Sequence, residues 1–241
     1  MKRKVLSKVG STGKTTNNSD SDFDVLPLLP MSDMSNRLLR KEMTSTLYEY
    51  YLVDDIGEAS DYIELCDVLR SASPNDEILI RINSGGGSLA TANMVVNAIR
   101  ESQAHVHGFI ESTCASAATL IYLSCHSYSL SEDADMMVHT SSSMYGGKEH
   151  EQHSYVTFSR KKIHKMVRNR YAGFLTEKEI ENVLNGQDYY FDSEEIGERL
   201  EAYTEFQQKK FEAELEAFQK EREDSLEGAY TKPKKKKILP S

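Results

Sequence analysis

The sequence predicts an α/β fold, a mainly parallel sheet flanked by helices, on three observations. Runs of strand-like composition alternate with helix-period runs across residues 48–139, as repeated β-α-β units do. A longer stretch, 155–174, repeats apolar residues at helical spacing. The chain has 241 residues, 39% of them hydrophobic and 28% charged, which suits one substantial core.

Taken in order, 48–53 reads as a strand and 61–72 as a helix with Tyr62, Leu65, Cys66 and Leu69 on one face. After a Ser-Pro-Asn turn, 78–82 is a second strand. Asn83 to Gly87 form a glycine-rich turn into a helix over 89–100, whose Leu89, Asn93, Val96 and Ile99 keep helical spacing. A third strand covers 106–110, and the small and apolar residues of 115–124 suit a buried helix. Short strands follow at 128–130 and 136–139. Residues 140–147 read as a Ser- and Gly-rich loop. The amphipathic helix is then marked by Tyr155, Phe158, Ile163, Met166, Val167, Tyr171 and Phe174, and a shorter one, 176–184, opens on Thr176 with Glu179 three residues on. Residues 194–227 are helical by composition. Their sparse apolar positions, Leu200, Phe206, Phe211, Leu215 and Phe218, suit a helix lying on a surface or pairing with a partner.

Three regions result: a flexible polar tail (1–34), one folded domain (35–200), and an acidic helix followed by a Lys-rich tail (201–241). No apolar run approaches the roughly 20 residues of a membrane span, and the first ten residues lack a secretory apolar region, so a cytoplasmic protein is expected. Cys66, Cys114 and Cys125 form no Cys-x-x-Cys pair, which suits a reducing compartment. The net charge of -9 argues against a nucleic-acid binder. The Lys232 to Lys237 run reads as a solvated terminus. Gly10, Gly13, Lys14 and Thr15 imitate part of a phosphate loop, but Lys8 stands where its first glycine belongs and no strand precedes it. His105 with His107, and Glu149 with His150 and His153, lack further ligands at metal-binding spacing. No cofactor is expected.

Four places suit chemistry. Gly85, Gly86 and Gly87 leave backbone N–H groups open to an approaching oxygen, as an oxyanion hole requires. Ser116, between Ala115 and Ala117, opens an apolar helix. His139 ends the run Met136-Met137-Val138, and Asp188 precedes Tyr189-Tyr190-Phe191. Each alone has a structural explanation as a turn, cap or satisfied polar group.

In this order and spacing these segments resemble the ClpP family, the proteolytic subunits of the Clp protease within the ClpP/crotonase superfamily. Ser35 to Leu39 resemble the family's opening segment, Ile82 to Gly87 its strand and Gly-Gly turn, and Ala115-Ser116-Ala117 its nucleophile segment. Met137-Val138-His139 resemble the stretch ending in the general base. Gly146 and Gly147 with the following helix resemble its loop and long handle helix, and the segment from Asp188 to Glu195 its triad aspartate region. The resemblance implies a serine endopeptidase with Ser116 as nucleophile, His139 as base and Asp188 as its orienting carboxylate. Gly87 and Ala117 would form the oxyanion hole, and Gly86 and Ser88 would bind substrate. Asp192 is the rival for the third place. The resemblance further implies polypeptide substrates, a homo-oligomeric ring with contacts from the long helix, and ATP use only through a separate AAA+ unfoldase.

The chain departs from the pattern at Gly85 (usually Pro), Ala117 (commonly Met) and Gln187 (an Arg that couples ring assembly to activity). It also has Arg199-Leu200-Glu201-Ala202 in place of a Gly-Leu-Val-Asp strand. Two rival readings are an inactive ClpP-like ring subunit and a dedicated phage head maturation protease. A lysine-based signal-peptide peptidase and a crotonase-type acyl-CoA enzyme fit the residues less well.

Overall fold

Buried positions alternate with less buried ones along residues 77–87 and 105–110, which gives the sheet an apolar face. The computed structural model describes residues 7–8, 44–142 and 148–230, with side chains in 44–142 and 148–223. Its strands are β1 (Ser7–Lys8), β2 (Leu47–Ile56), β3 (Glu77–Gly87), β4 (His105–Ala115), β5 (Ser127–Leu130), β6 (Asp135–Val138) and β7 (Tyr189–Phe191). They follow the order β1-β2-β3-β4-β6-β7, with β5 also on β4. β2 to β6 pair in parallel, whereas β1 and β7 join β2 and β6 antiparallel.

Ile78, Ile80 and Ile82 of β3 and Val106, Ile110 and Cys114 of β4 are buried. They share one core with Leu65, Cys66 and Leu69 of α1 (Ile63–Ser71), Val95, Val96 and Ile99 of α2 (Leu89–Glu101), and every residue of α3 (Ala117–Tyr122) except the buried, polar Thr119. Each fully buried aliphatic side chain contributes about 1.5–3 kcal/mol.

The long strand β4 serves two neighbours on one edge. His107 to Ile110 pair with β5, and Thr113 to Ala115 with β6. Ser131 holds the crossing, its N–H donating to the Ile110 carbonyl (2.9 Å) and its hydroxyl to the Glu111 carbonyl (2.7 Å). The end of β6 is thereby brought beside the end of β4.

The structure adds two strands that the sequence pattern does not announce, β1 in the expected flexible tail and the three-residue β7, and it differs from expectation in three further features. β3 runs through the glycines as a paired strand, because Gly86 and Gly87 stay in register with Asp55 and Ile56 across a bulge. The buried helix after Ser116 is only Ala117–Tyr122. The long helix α4 (Glu149–Tyr171) buries Val167 and Tyr171 alone and leaves Tyr155 and Phe158 41% and 66% exposed, since only its last turns meet the body and α5 (Glu177–Leu184). α6 (Ser193–Tyr230) buries Ile196, Leu200 and Tyr203, after which Phe206, Phe211, Leu215 and Phe218 are exposed. Gly10 to Thr15, Ser35 to Leu39, Gly146, Gly147 and Lys232 to Lys237 lie outside the described residues, as does the expected tail apart from Ser7–Lys8.

Arg199 fastens α6 to the domain. Its guanidinium spans both Glu179 oxygens (3.1 and 2.8 Å), donates to the Phe174 carbonyl (3.1 Å) and lies over the Phe191 ring. Burial would raise the Glu179 carboxyl, but the Arg199 bonds and those from Thr176 outweigh it and hold the carboxyl below its ordinary value. A carboxylate depressed in the folded state stabilises above its unfolded pKa, and that contribution is lost as pH falls through the folded value. Arg199→Ala should therefore cost about 1–3 kcal/mol at neutral pH. Thermal unfolding followed against pH should find the deficit shrinking once Glu179 protonates.

Candidate active site

Ser116 stands where β4 hands over to α3, with φ 53 and ψ -122. A non-glycine residue in that region carries strain of about 1–3 kcal/mol and persists only where its surroundings impose it. Its N–H donates to the Met137 carbonyl (2.8 Å). Its carbonyl accepts from Thr119 N–H (3.1 Å) and the Thr119 hydroxyl (2.6 Å), which also bonds the Tyr171 hydroxyl (2.6 Å). Burial pushes the Tyr171 phenol far up, so it stays a neutral hydrogen-bonding group. The backbone of Ser116 is thus tied to β6, α3 and the end of α4.

The glycines of β3 make room for this turn. A Cβ on Gly86, at φ 99, would lie 2.7 Å from the Ala115 carbonyl oxygen and from Ser116 Cβ, and 2.9 Å from Ala117 N. Gly87, at φ 132, would drive a Cβ into the backbone of Ile56. Ser88 N–H donates to the Ile56 carbonyl (2.8 Å). Since successive amides of a strand point to opposite sides, the Gly87 N–H faces away from β2. Ala117 supplies the first N–H of α3, which has no carbonyl partner inside the helix.

His139 directly follows β6. Its Nε2 lies 2.7 Å from Ser116 Oγ, within reach for proton transfer. Cys114, two residues before Ser116, is fully buried, and burial raises its thiol well above the ordinary value, so it offers no thiolate.

Asp188 is exposed and makes no hydrogen bond or ion pair among the described residues. Its backbone position is nevertheless set by β7. Met136 pairs with Phe191, Met137 with Tyr190 and Val138 with Tyr189, and one further step of that antiparallel register puts Asp188 opposite His139. Opposed residues have Cβ atoms about 4.5–5.5 Å apart. Asp192 lies at the other end of β7 and caps α6: its Oδ1 accepts from Glu195 N–H (2.9 Å) while its N–H donates to the Glu195 carboxylate (3.3 Å).

A cavity of about 650 Å³ opens over Ser116 and His139. Gly87, Ser88 and Ala117 line one side, and Ile56, Leu89, Leu120, Met137, Met166 and Val167 give it an apolar wall. Gly86 lies behind the wall, against Ser116. Ser88 also caps α2, its hydroxyl accepting from Thr91 N–H (3.3 Å). The buried hydroxyl of Ser141, at the rim, has no partner among the described residues. Met166, Val167 and Tyr171 were legible only as a helix face; their place in the cavity follows from where α4 ends.

The other histidines lie elsewhere. His107 bonds the Ser127 and Ser129 hydroxyls (2.7 and 2.6 Å), and His105 bonds Ser127 (2.8 Å). Among the described residues no three His, Cys, Asp or Glu side chains are grouped to hold a metal, and no helix is long and apolar enough to cross a membrane.

The Clp protease family model matches residues 32–198, well over half of the chain. No curated protein matches the chain.

Gly86→Ala should force Ser116 out of its conformation. Its thermal unfolding midpoint is expected to fall by several degrees, the effect of about 2–3 kcal/mol. An unchanged midpoint would mean that the turn at Ser116 does not depend on this close approach.

Proposed function

The chain belongs to the Clp protease family, and from that membership we propose that it is a ClpP-like serine endopeptidase acting through Ser116, His139 and Asp188. The observation that carries the proposal is the 2.7 Å contact between His139 Nε2 and Ser116 Oγ at a strained turn. Ser116 attacks the scissile carbonyl as His139 takes its proton. The oxyanion is held by the N–H groups of Gly87 and Ala117, and His139 then protonates the leaving amine. Water resolves the acyl-enzyme by the reverse proton path. Asp188, free to turn toward the ring it opposes, holds the imidazole in the tautomer that leaves Nε2 able to accept. The apolar wall of the cavity supports apolar side chains beside the scissile bond.

The family's ring assembly is the basis for proposing a homo-oligomer, and the exposed Tyr155, Val156 and Phe158 of α4 support contacts along that helix. Any ATP use belongs to a separate AAA+ unfoldase. The buried, free cysteines support a cytoplasmic location. Asp188, without a bond to His139, favours one second reading, an inactive ring subunit whose third member never engages.

Peptide hydrolysis by three variants separates these readings. Ser116→Ala should lower turnover by several orders of magnitude, and Asp188→Asn by about 10³–10⁴. Asp192→Asn should keep its turnover and change stability by no more than about 1 kcal/mol. Loss of turnover in the Asp192 variant alone would overturn the Asp188 assignment. A folded wild-type oligomer that cleaves no peptide would establish the inactive reading.

A further inference from the structure

A second groove, of about 660 Å³, runs between α2 and α4 beside the catalytic cavity. Five cations line it: Arg100 of α2, Lys162, Lys165 and Arg170 of α4, and Lys210 of α6. No carboxylate does. Among the described residues none of the five has an ion-pair partner, while the neighbouring Glu101 and Glu181 are engaged by Arg70 and Arg168. Arg170 Nη1 is buried with no hydrogen-bond acceptor among the described residues. Its burial, together with Arg100 nearby, pushes the guanidinium pKa down.

Gathering like charges around a buried donor is unfavourable in the absence of a counter-charge. That the chain as a whole carries a charge of -9 makes the local excess more notable. Leu89 faces the catalytic cavity and Ala90 the groove, while Met166 lines both. From Ala90 to Arg100 the groove follows α2 for about 15 Å, the span of four to five extended residues.

We propose that this groove is a substrate subsite for acidic side chains, so that the preferred polypeptides carry Asp or Glu within about five residues of the scissile bond. The proposal rests on the peptidase reading, because the groove adjoins the cavity of Ser116 across Met166, and a substrate held there is the occupant within reach. Lys210 lies beyond residue 198, where the family match ends, so one wall comes from this chain's own extension.

The test uses the full chain carrying Ser116→Ala and a labelled peptide with an Asp/Glu run, compared with its Asn/Gln twin by fluorescence polarisation. The acidic peptide should bind about tenfold more tightly at low salt, and less so at about 0.5 M salt. Lys162→Glu with Lys165→Glu should bring the ratio to about one, and Lys178→Glu, exposed on α5 and outside the groove lining, should preserve it. Equal binding of the twins, or a ratio that survives the double charge reversal, would overturn the subsite. So would inorganic polyphosphate binding that depends on the same lysines but is not displaced by the acidic peptide. Wild-type cleavage of the same twins keeps the two readings apart. A binding preference without any cleavage would overturn the peptidase reading and leave an acidic-peptide site; cleavage without preference would do the reverse.

Discussion

Ser116 holds a left-handed backbone conformation because Gly86, on the neighbouring strand, has no side chain to collide with it. The rest of the site depends on that approach. A Cβ at Gly86 would push β3 from β4 where Gly87 and Ala117 line one cavity. The strain at Ser116 is borne by ordinary bonds: its N–H to Met137, its carbonyl to Thr119, and Thr119 onward to Tyr171. Core burial on both sides of the turn keeps these partners fixed, so Ser116 lines the cavity without needing a flexible loop.

A second constraint acts through register. β4 shares one edge between β5 and β6, which sets the end of β6 against the turn at Ser116. β7 then adds only three residues, yet its antiparallel pairing brings Asp188 level with His139 and sends Asp192 to the opposite end, where it caps α6. Three elements distant in sequence converge because strand pairing is quantised in single residues, and slipping β7 by one would turn its side chains to the other face.

Much of this was legible in the sequence. The alternation of periods predicts a parallel α/β sheet, and the segments around Gly86, Ser116, His139 and Asp188 carry the family resemblance. The course of β3 through three glycines was hidden, because glycine reads as a turn and here tertiary pairing overrides it. The strand β7 was hidden by its brevity. Periodicity located the apolar positions of α4 but could not say that Tyr155 and Phe158 stay partly exposed. The cationic groove was invisible for a different reason: its charges come from three helices and form no run.

Activation of the Ser116 hydroxyl by His139 is the proposed step on which the chemistry turns. The most direct measurement is reaction of the purified chain with a serine-directed fluorophosphonate, with the modified residue located by peptide mass spectrometry. Modification at Ser116 that disappears in a His139→Ala variant is the predicted result. A folded protein that stays unmodified, or one modified at another residue or equally well without His139, would contradict it.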